Sequence, residues 1–599
     1  MINDRLGQLT PQKTVATKPA SGYQSSFDFS GLFKSFANPQ GLGMIGALVL
    51  IILLTQLAGK RKGKISTGRV VGVAEKLAAT NLALKQIRKR QHNQVCFWCG
   101  SPRYWWSGKF QGMAARIQTF LGVSPTVWIP HAERSILVLG APGSGKTYGS
   151  IDRMAESCMV QGFPLIIYDK KGSQMQLLAP MAARYGYDVR IFAPGEPYSE
   201  VINPLDFMRN EEDAETATQI ARVINANASG NKGENDFFAK AADMLATALI
   251  QLAKSSDCPD LGTVYGLIST EGFISKLATA IQHHKVSVWV ASSFRQYLKA
   301  KDSEKTVASI DTTTVGIFSG FIKRNLLSSF LGKTTVPIKL SGKQILIFKL
   351  DDERRDAVGP LLAAAFHMTV VKNLAQPRSQ PLGIFIDELP SIFLYALPQW
   401  INEYRSNGAC FVLGVQSLEQ LANAYGENLA AAISSACSTK ILYNPANYST
   451  AEKFSQSYGQ KELIVKERSI TQSKEGRSVT WADRLQTMPI ITPDEIMRFP
   501  QGKCVITNPG YSSGGEGSIP YALTISIPKS DQKRISECEK LWHEQVCPRL
   551  IARSQLIDPS QLDEAMDLRE QIASQLLSVS ASQSTQKLEN SEVTLESPW

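Results

Sequence analysis

A chain of 599 residues is too long for one hydrophobic core, and at roughly 150 residues per domain it predicts three or four folded units. Its 43% hydrophobic and 20% charged residues are typical of globular proteins, which excludes a chain that is disordered throughout. Nine scattered cysteines exclude a disulfide framework of the secreted type, and the formal charge of +11 favours contact with phosphate backbones or anionic lipid.

The N-terminal part of the chain contains one long apolar run. Residues 1–40 have few aliphatic side chains, and we expect a flexible segment there. Residues 41–58 carry no charge and approach the ~20 residues that a membrane helix needs. A cleaved signal peptide would begin near Met1, whereas this run starts late and is followed by Lys60-Arg61-Lys62-Gly63-Lys64. We therefore predict a transmembrane helix at 41–58, with a buried core helix as the alternative, and the positive-inside rule places the following chain in the cytoplasm.

Residues 59–130 are predicted to be a basic juxtamembrane and linker region. Between Lys60 and Arg90 there are ten basic residues and one acid, so a helix here either lies on anionic headgroups or is simply solvated. The stretch Cys96-Phe97-Trp98-Cys99 contains half of a zinc site. No second Cys-x-x-Cys follows, so the sequence favours structural packing over metal binding.

An apolar run at 135–139 leads into a glycine-rich segment that fits G-x-x-x-x-G-K-[ST], the phosphate-binding loop between a strand and a helix. Backbone N–H groups of such a loop surround phosphate oxygens, Lys146 neutralises the outer phosphates, and Thr147 offers a hydroxyl to Mg²⁺. The motif predicts nucleotide binding, and a chance glycine-rich turn is the alternative. The candidate binding residues are Gly140, Ala141, Pro142, Gly143, Ser144, Gly145, Lys146 and Thr147.

Strands alternate with helices after this loop, beginning with the apolar run at 163–169, and the alternation predicts a parallel α/β sheet. The alternation stops between residues 207 and 335, where only helical periodicity is present. We therefore predict an all-α domain at 207–335, inserted into a nucleotide-binding domain formed by residues 131–206 and 336–550.

Two polar segments lie in the second half of the chain. Residues 462–486 are predicted to form an exposed loop or a pair of strands. From about Gln571 the chain is rich in Ser, Gln and Glu, and we predict a disordered C-terminal tail over residues 551–599.

The apolar strand Leu382–Ile386 ends in Asp387 and Glu388, the partner that a phosphate loop requires. Asp387 is predicted to hold Mg²⁺, and Glu388 to polarise water against the γ-phosphate. Gln416 ends another strand, so it either places an amide beside the phosphates or is a turn residue. Arg405 precedes that strand and is either an arginine finger for a neighbouring subunit or a surface arginine.

These motifs, in this order, resemble those of type IV secretion coupling proteins, inner-membrane ATPases that deliver DNA and protein substrates to a conjugation or effector-export channel. The resemblance extends from residue 41 to about residue 521. It departs from the family in having one apolar run where two membrane helices are common, and Leu389-Pro390-Ser391 where an aromatic residue or glycine usually follows the acids. Besides the apolar run, the resemblance is carried by residues 140–147, Asp169-Lys170-Lys171-Gly172, Asn203-Pro204-Leu205-Asp206, Asp387-Glu388, Arg405 with Gly408, and Gln416-Ser417-Leu418-Glu419-Gln420-Leu421.

The resemblance implies a RecA-like P-loop NTPase domain that binds ATP and Mg²⁺ and is interrupted by an all-α domain. It also implies a hexamer around a central channel, with nucleotide between subunits, so that Arg405 acts in trans. The expected location is the bacterial inner membrane, single-pass with a cytoplasmic body, and the expected partners are single-stranded DNA with a relaxase or a secreted protein, and channel proteins. Two other functions are compatible with the sequence: a double-stranded DNA pump of the septal translocase type, and a substrate receptor or scaffold whose assembly depends on ATP binding.

Overall fold

The computed structural model describes residues 68–100, 111–122, 124, 126–228, 237–320, 322–473 and 476–578. The predicted flexible segment at 1–40, the predicted membrane helix at 41–58 and the last residues of the predicted tail, 579–599, lie outside the described residues.

The described residues contain thirteen strands. They are β1 (Cys96–Gly100), β2 (Thr126–Pro130), β3 (Ile136–Leu139), β4 (Leu165–Asp169), β5 (Asp188–Phe192), β6 (Gln344–Lys349), β7 (Leu382–Ile386), β8 (Ala409–Val415), β9 (Thr439–Leu442), β10 (Gln460–Ser473), β11 (Gly476–Pro489), β12 (Lys503–Thr507) and β13 (Tyr521–Thr524). The segment at 462–486 is therefore a strand pair, since β10 and β11 form an antiparallel hairpin.

The α-helices of the described chain precede, connect and follow these strands. They are α1 (Val73–Lys89), α2 (Gln111–Phe120), α3 (Asp152–Gln161), α4 (Ser173–Arg184), α5 (Ala214–Ala228), α6 (Phe237–Lys254), α7 (Leu261–Ile268), α8 (Phe273–Gln282), α9 (Val288–Ser293), α10 (Arg295–Lys299), α11 (Glu304–Ser319), α12 (Arg324–Leu327), α13 (Arg355–Leu374), α14 (Leu397–Glu403), α15 (Leu418–Tyr425), α16 (Glu427–Ala436), α17 (Tyr448–Ser457), α18 (Pro493–Met497), α19 (Lys529–Leu541), α20 (Cys547–Arg553) and α21 (Leu562–Leu577). Helices α5 to α12 lie between β5 and β6, and the described residues of that insertion contain no strand.

The central sheet has nine strands in the order β13-β12-β9-β3-β8-β7-β4-β6-β5. The seven strands from β9 to β5 are parallel, and β12 is antiparallel to its neighbours β9 and β13. The carboxyl ends of the parallel strands therefore share one edge, where ligands of open α/β sheets bind. This topology confirms the predicted α/β class with a parallel sheet.

Both faces of this sheet are buried, which explains why its central strands are continuous apolar runs. Leu137 and Leu139 belong to one apolar cluster, whereas Ile136 and Val138 belong to a second cluster on the opposite face. Helices α5, α6 and α13 contribute to the first cluster, and α3 and α4 to the second. Among the described helices, α13 alone has the length and apolarity to cross a membrane, but 78% of its most apolar window is buried inside the protein.

The predicted disordered tail is wrong for residues 551–577. Helix α21 packs on α7 and α8, and its Arg569 is buried against Asp260, with Nη2 2.6 Å from Oδ2. A Cβ on Gly266 of α7 would lie 3.2 Å from the Cβ of Ala573, so the two helices approach closely. Helix α21 is stabilised by this tertiary contact, which its polar composition does not reveal.

The predicted linker at 59–130 is also wrong for its described part. Helix α1 packs on α2 and β2, and β1 pairs with β2. The side chain of Phe97 on β1 stacks on Phe385 of β7, with ring centroids 6.0 Å apart. Because Phe97 is completely buried in the core of the sheet, this region is an integral part of the fold built around the central sheet.

Candidate nucleotide-binding site

The loop at 140–147 connects β3 to a π-helical turn, Thr147–Ile151, that leads into α3. Gly143 and Gly145 have φ angles of 77° and 97°, in the left-handed region that favours glycine. At Gly140 a Cβ would lie 2.5 Å from Ser144 Oγ, so a larger residue would not fit the loop. The three glycines thus allow a tight turn whose backbone N–H groups can surround an anion.

Backbone hydrogen bonds from segments next to β9 and β12 hold the loop in place. Ala141 N–H donates to the carbonyl of Asn444, just after β9, at 2.8 Å, and Gly502 N–H donates to the carbonyl of Ser144 at 2.9 Å. The hydroxyl of Ser144 is buried and has no hydrogen-bond partner within the described part of the chain. An unsatisfied donor inside a glycine-rich loop fits a phosphate oxygen as its missing partner.

The predicted metal-binding residues are in direct contact. Thr147 Oγ1 donates to Asp387 Oδ1 at 2.8 Å, and Lys146 of the same loop is buried. Burial raises the pKa of Asp387, although the charge of Lys146 and the Thr147 hydrogen bond lower it. A buried carboxylate beside a hydroxyl is a hard oxygen pair of the kind that Mg²⁺ binds. These residues therefore fit a magnesium–nucleotide complex.

Glu388 lies next to this pair and is held by two amides. Gln416 Nε2 is 3.4 Å from both carboxylate oxygens of Glu388, and Gln420 Nε2 donates to Oε1 at 3.1 Å. Because β8 lies between β3 and β7, Gln416 at its end sits between the loop and the acids. The fold thus brings Gln416 into contact with Glu388.

Gln420 is not among the residues predicted for the site, although the sequence around it contains a recognisable pattern. Ser417 caps α15 by accepting the N–H of Gln420 at 3.1 Å, and Gln420 lies one turn after Gln416. A serine that caps the helix directly after a buried strand, followed three residues later by Gln, therefore indicates a second amide directed at the site.

Two further buried acids lie close to Asp387. Asp169 accepts the backbone N–H groups of Lys171, Gly172 and Met175 at 2.7–3.0 Å, so it fixes the turn into α4. Burial raises the pKa of Asp152 to about 8; the hydrogen bond from Gln174 lowers it and the charges of Asp387 and Asp169 raise it further. Asp152 was missed because only the packing of α3 brings it to the acids.

The fold does not bring Arg405 to this site. Arg405 is exposed in the turn before β8, whereas Gln416 follows the other end of that strand. Seven strand residues span roughly 23 Å at ~3.3 Å each. Arg405 therefore lies at the opposite edge of the sheet from the phosphate loop of its own chain.

The two cysteines of the Cys-x-x-Cys stretch cannot share a metal ion. They lie three residues apart on β1, so Cys96 packs in one apolar cluster and Cys99 in another on the opposite face. Burial raises the pKa of both thiols, that of Cys99 to about 12. The described residues contain no cluster of His, Cys, Asp or Glu that could hold a metal ion.

Comparison with solved structures gives the same architecture. The bacterial conjugative coupling protein TrwBdeltaN70 in an unbound form has a TM-score of 0.50 and 18% identity, covering 67% of this chain and 87% of that chain. TrwB in complex with ADP and Mg²⁺ has a TM-score of 0.51 and 17% identity, covering 66% and 86%. At these identities the similarity shows the fold, a parallel α/β domain with a helical domain.

Sequence comparison identifies the family. The coupling protein TraD of Escherichia coli (strain K12) is 26% identical over 153 residues, which are 25% of this chain and 21% of TraD, so the match spans about a fifth of that relative. The family model described as the type IV secretion-system coupling protein DNA-binding domain matches residues 121–512, more than half of the chain. Together with the resemblance of the motifs, this match shows that the chain belongs to the type IV secretion-system coupling protein family.

Proposed function

We propose that this chain binds ATP with Mg²⁺ at the phosphate loop and hydrolyses it to drive DNA or protein into a type IV secretion channel. The observation that carries the proposal is the convergence of Thr147, Asp387, Glu388 and Gln416 at the carboxyl edge of three neighbouring strands. A phosphate loop alone indicates only binding, whereas an acid held beside it is the arrangement for hydrolysis. The ADP and Mg²⁺ complex of TrwB supports the choice of ligand.

Each residue has a distinct role in this proposal. The loop N–H groups, Lys146 and the Ser144 hydroxyl bind the phosphates. Thr147 and Asp387 would hold Mg²⁺, which supplies positive charge to the phosphate oxygens when it is bound. Glu388 accepts the proton of the attacking water, while the amides of Gln416 and Gln420 keep its carboxylate oriented toward the loop.

Steady-state hydrolysis by the full-length chain in detergent, with and without DNA, tests the proposal. Lys146→Ala should abolish phosphate release without changing the circular dichroism spectrum. Glu388→Gln should retain bound ATP while turnover falls by about 10²–10⁴-fold, the usual contribution of a general base. The exposed Glu427 offers a matched control, and Glu427→Gln should behave as wild type.

The other outcomes separate the competing functions. Wild-type turnover in Glu388→Gln would refute its role as the base. Absence of hydrolysis by the wild-type chain under all conditions would leave a receptor or scaffold whose assembly depends on ATP binding. Displacement of a triplex strand from linear duplex would instead identify a double-stranded DNA pump.

The proposal includes the position and assembly of the chain. Residues 41–58 anchor it in the bacterial inner membrane, with everything after Lys60 in the cytoplasm. Six chains form a ring, and Arg405 of each chain acts on the nucleotide of a neighbour. A basic ring channel would hold single-stranded DNA, delivered with its relaxase, through the phosphate backbone, and a secreted protein is the other cargo. Extraction with alkaline carbonate should leave the chain in the membrane fraction, and deletion of 41–58 should release it.

A further inference from the structure

Helix α2 presents an apolar stripe to solvent. Met113, Ile117, Phe120 and Leu121 are 49–63% exposed, and their i, i+4, i+7, i+8 spacing places them on one side of the helix. Ala115 and Thr119, on the other side, are buried. Contiguous exposed apolar side chains of this kind indicate a surface that contacts a partner protein or a membrane.

A polar pocket lies beside the end of this stripe. Its lining includes Lys76 and Thr80 of α1, Thr119 of α2, Thr126 and Trp128 of β2, and Tyr521, and its volume is about 40 Å³, which holds a group of a few heavy atoms. We call it the Lys76 pocket. The ammonium of Lys76 lies 4.9 Å from the centroid of the Tyr521 ring.

Two buried polar groups of this pocket lack a partner. Thr126 is 6% exposed and Trp128 4%, and neither Thr126 Oγ1 nor Trp128 Nε1 has a hydrogen-bond partner within the described ranges. No carboxylate of the described chain forms an ion pair with Lys76. An indole N–H, a hydroxyl and an ammonium together form a donor set for an anion such as a phosphate group.

Helices α1 and α2, with β1 between them in the sequence, pack against each other, and we call this helix pair the α1–α2 hairpin. The pocket and the stripe lie at the end of this pair where the chain enters α1. Thr80 pairs with Thr119 at 3.1 Å, and Asn81 with Arg116 at 2.7 Å, so α1 and α2 are antiparallel. The end of α2 therefore lies beside the start of α1. The apolar run at 41–58 ends ten residues before Gly68, so only a short basic segment separates it from the start of α1 in the sequence.

The charge of this part of the chain fits an anionic surface. From Lys60 to Ala132 the sequence contains thirteen Lys or Arg residues and a single acid, Glu75. That acid is buried and paired with Arg69 at 2.8 Å. Basic residues beside a membrane anchor attract anionic lipids.

We propose that the α1–α2 hairpin binds anionic phospholipid, with a headgroup phosphate in the Lys76 pocket and the apolar stripe of α2 at the acyl-chain boundary. The proposal rests on the proposed membrane anchoring for the position of the hairpin. Lipid binding here would fix the orientation of the nucleotide-binding fold to the membrane, because β2 is continuous with the core beneath the hairpin.

Photo-crosslinking in vesicles tests the stripe. The full-length chain, with a photoreactive amino acid at Ile117, is reconstituted into vesicles of phosphatidylethanolamine and phosphatidylglycerol at 3:1, and probes at Leu50 and at the exposed Trp289 of α9 serve as references. We expect lipid adducts at Leu50 and Ile117 but not at Trp289. Adducts at Leu50 alone overturn the inference while leaving the anchor intact, and absence of both contradicts the anchor as well. An adduct of Ile117 with protein instead of lipid would identify a protein-docking surface.

Calorimetric titration tests the pocket and separates lipid from free phosphate. The probes are dihexanoyl phosphatidylglycerol, dihexanoyl phosphatidylcholine and inorganic phosphate, added to the full-length chain in neutral detergent. Phosphatidylglycerol should bind, and Lys76→Ala and Thr126→Val should each weaken it, Lys76→Ala by about tenfold for one charge-assisted hydrogen bond. Lys85→Ala, an exposed lysine of the same helix, should bind as wild type. Either of two results would overturn the proposal. The first is that the Lys76→Ala and Lys85→Ala variants bind phosphatidylglycerol equally well. The second is that Lys76→Ala abolishes the binding of inorganic phosphate but leaves lipid binding unchanged.

Discussion

At the scale of single residues, the position of Glu388 depends on its neighbours more than on its own strand. The 3.1 Å hydrogen bond from Gln420 is shorter than the two 3.4 Å contacts from Gln416. Glu388 follows Asp387 in the turn after β7, where it is 8% exposed and its carboxylate faces the amides of Gln416 and Gln420. The two amides are therefore positioning residues for the proposed base.

Replacing Gln420 by Leu removes the shorter of these contacts. We expect kcat for ATP hydrolysis to fall about tenfold with KM within about twofold, because Glu388 acts on water and not on ATP binding. Steady-state phosphate release at several ATP concentrations measures both constants. Gln399→Leu is the matched control, since Gln399 makes the same amide–carboxylate contact with Glu403 on the exposed side of α14. A raised KM with unchanged kcat would mean that Gln420 holds the nucleotide instead.

The phosphate loop and the acid pair were predictable because each is a motif whose residues lie next to one another in the sequence. A strand followed by glycines predicts the conformation of the loop. A second strand followed by acids predicts the contact between Thr147 and Asp387, because both motifs follow the carboxyl ends of strands in one parallel sheet. Asp152 reaches the site only through the packing of α3, and a single sequence carries no periodicity that reports such packing. Gln420 differs from Asp152, because the Ser417 cap directly after β8 is a local pattern from which its position could have been predicted.

At the scale of elements, α19 is attached to α3 through buried charges. Arg534 of α19 forms an ion pair with Glu156 of α3, and Arg153 bonds both Glu156 at 2.9 Å and Asp531 at 3.3 Å. Burial alone would raise the pKa of Glu156, but the hydrogen bond and charge of Arg534, with the charge of Arg153, leave it below the usual 4.5. The ion pairs therefore stabilise the attachment only while Glu156 is ionised.

Replacing Arg534 by Met should loosen α19 in a pH-dependent way. The loss of one partner of a buried pair costs ~3–5 kcal/mol, and we expect about 2–3 kcal/mol here because Arg153 still bonds Glu156. Because the folded pKa is lowered, this stability is present above the unfolded pKa near 4.5 and is lost as the pH falls below it. Amide exchange of α19 should thus be about 30- to 160-fold faster in the variant at pH 7, at 1.36 kcal/mol per factor of ten, with a smaller ratio toward pH 4. Lys533→Met, at an exposed position of α19, should show wild-type exchange at both pH values.

Elements were predictable where their own sequence contains the pattern. The buried parallel strands appear as apolar runs, and the insertion between β5 and β6 shows helical spacing. Helix α21 was missed because it is polar on most sides and depends on Arg569 meeting Asp260, a residue 309 positions away. The strands of the described linker region, β1 and β2, were missed because each has only five residues and its partner strand lies 25 residues away in the sequence.

At the scale of the whole molecule, one chain holds two halves of a proposed catalytic site at opposite edges of its sheet. The phosphate loop follows the carboxyl end of β3, and Arg405 precedes the amino end of β8, which runs parallel to β3. No local rearrangement closes a gap of roughly 23 Å across a buried strand. If Arg405 acts on nucleotide at all, it does so on that of another chain.

Mixing two inactive variants distinguishes action in trans from a surface role for Arg405. Arg405→Ala should keep ATP binding and lose about 10³-fold in hydrolysis, as for other arginine fingers. The Lys146→Ala variant should not hydrolyse ATP, because its own phosphate loop lacks the lysine. In a randomly mixed 1:1 ring, about a quarter of the interfaces combine an intact loop with an intact arginine, so hydrolysis should partly return. Mixing Arg405→Ala with the double variant Lys146→Ala, Arg405→Ala restores no interface and should stay inactive. Wild-type hydrolysis by Arg405→Ala alone would show that the residue is a surface arginine, and an inactive 1:1 mixture of the single variants would contradict action in trans.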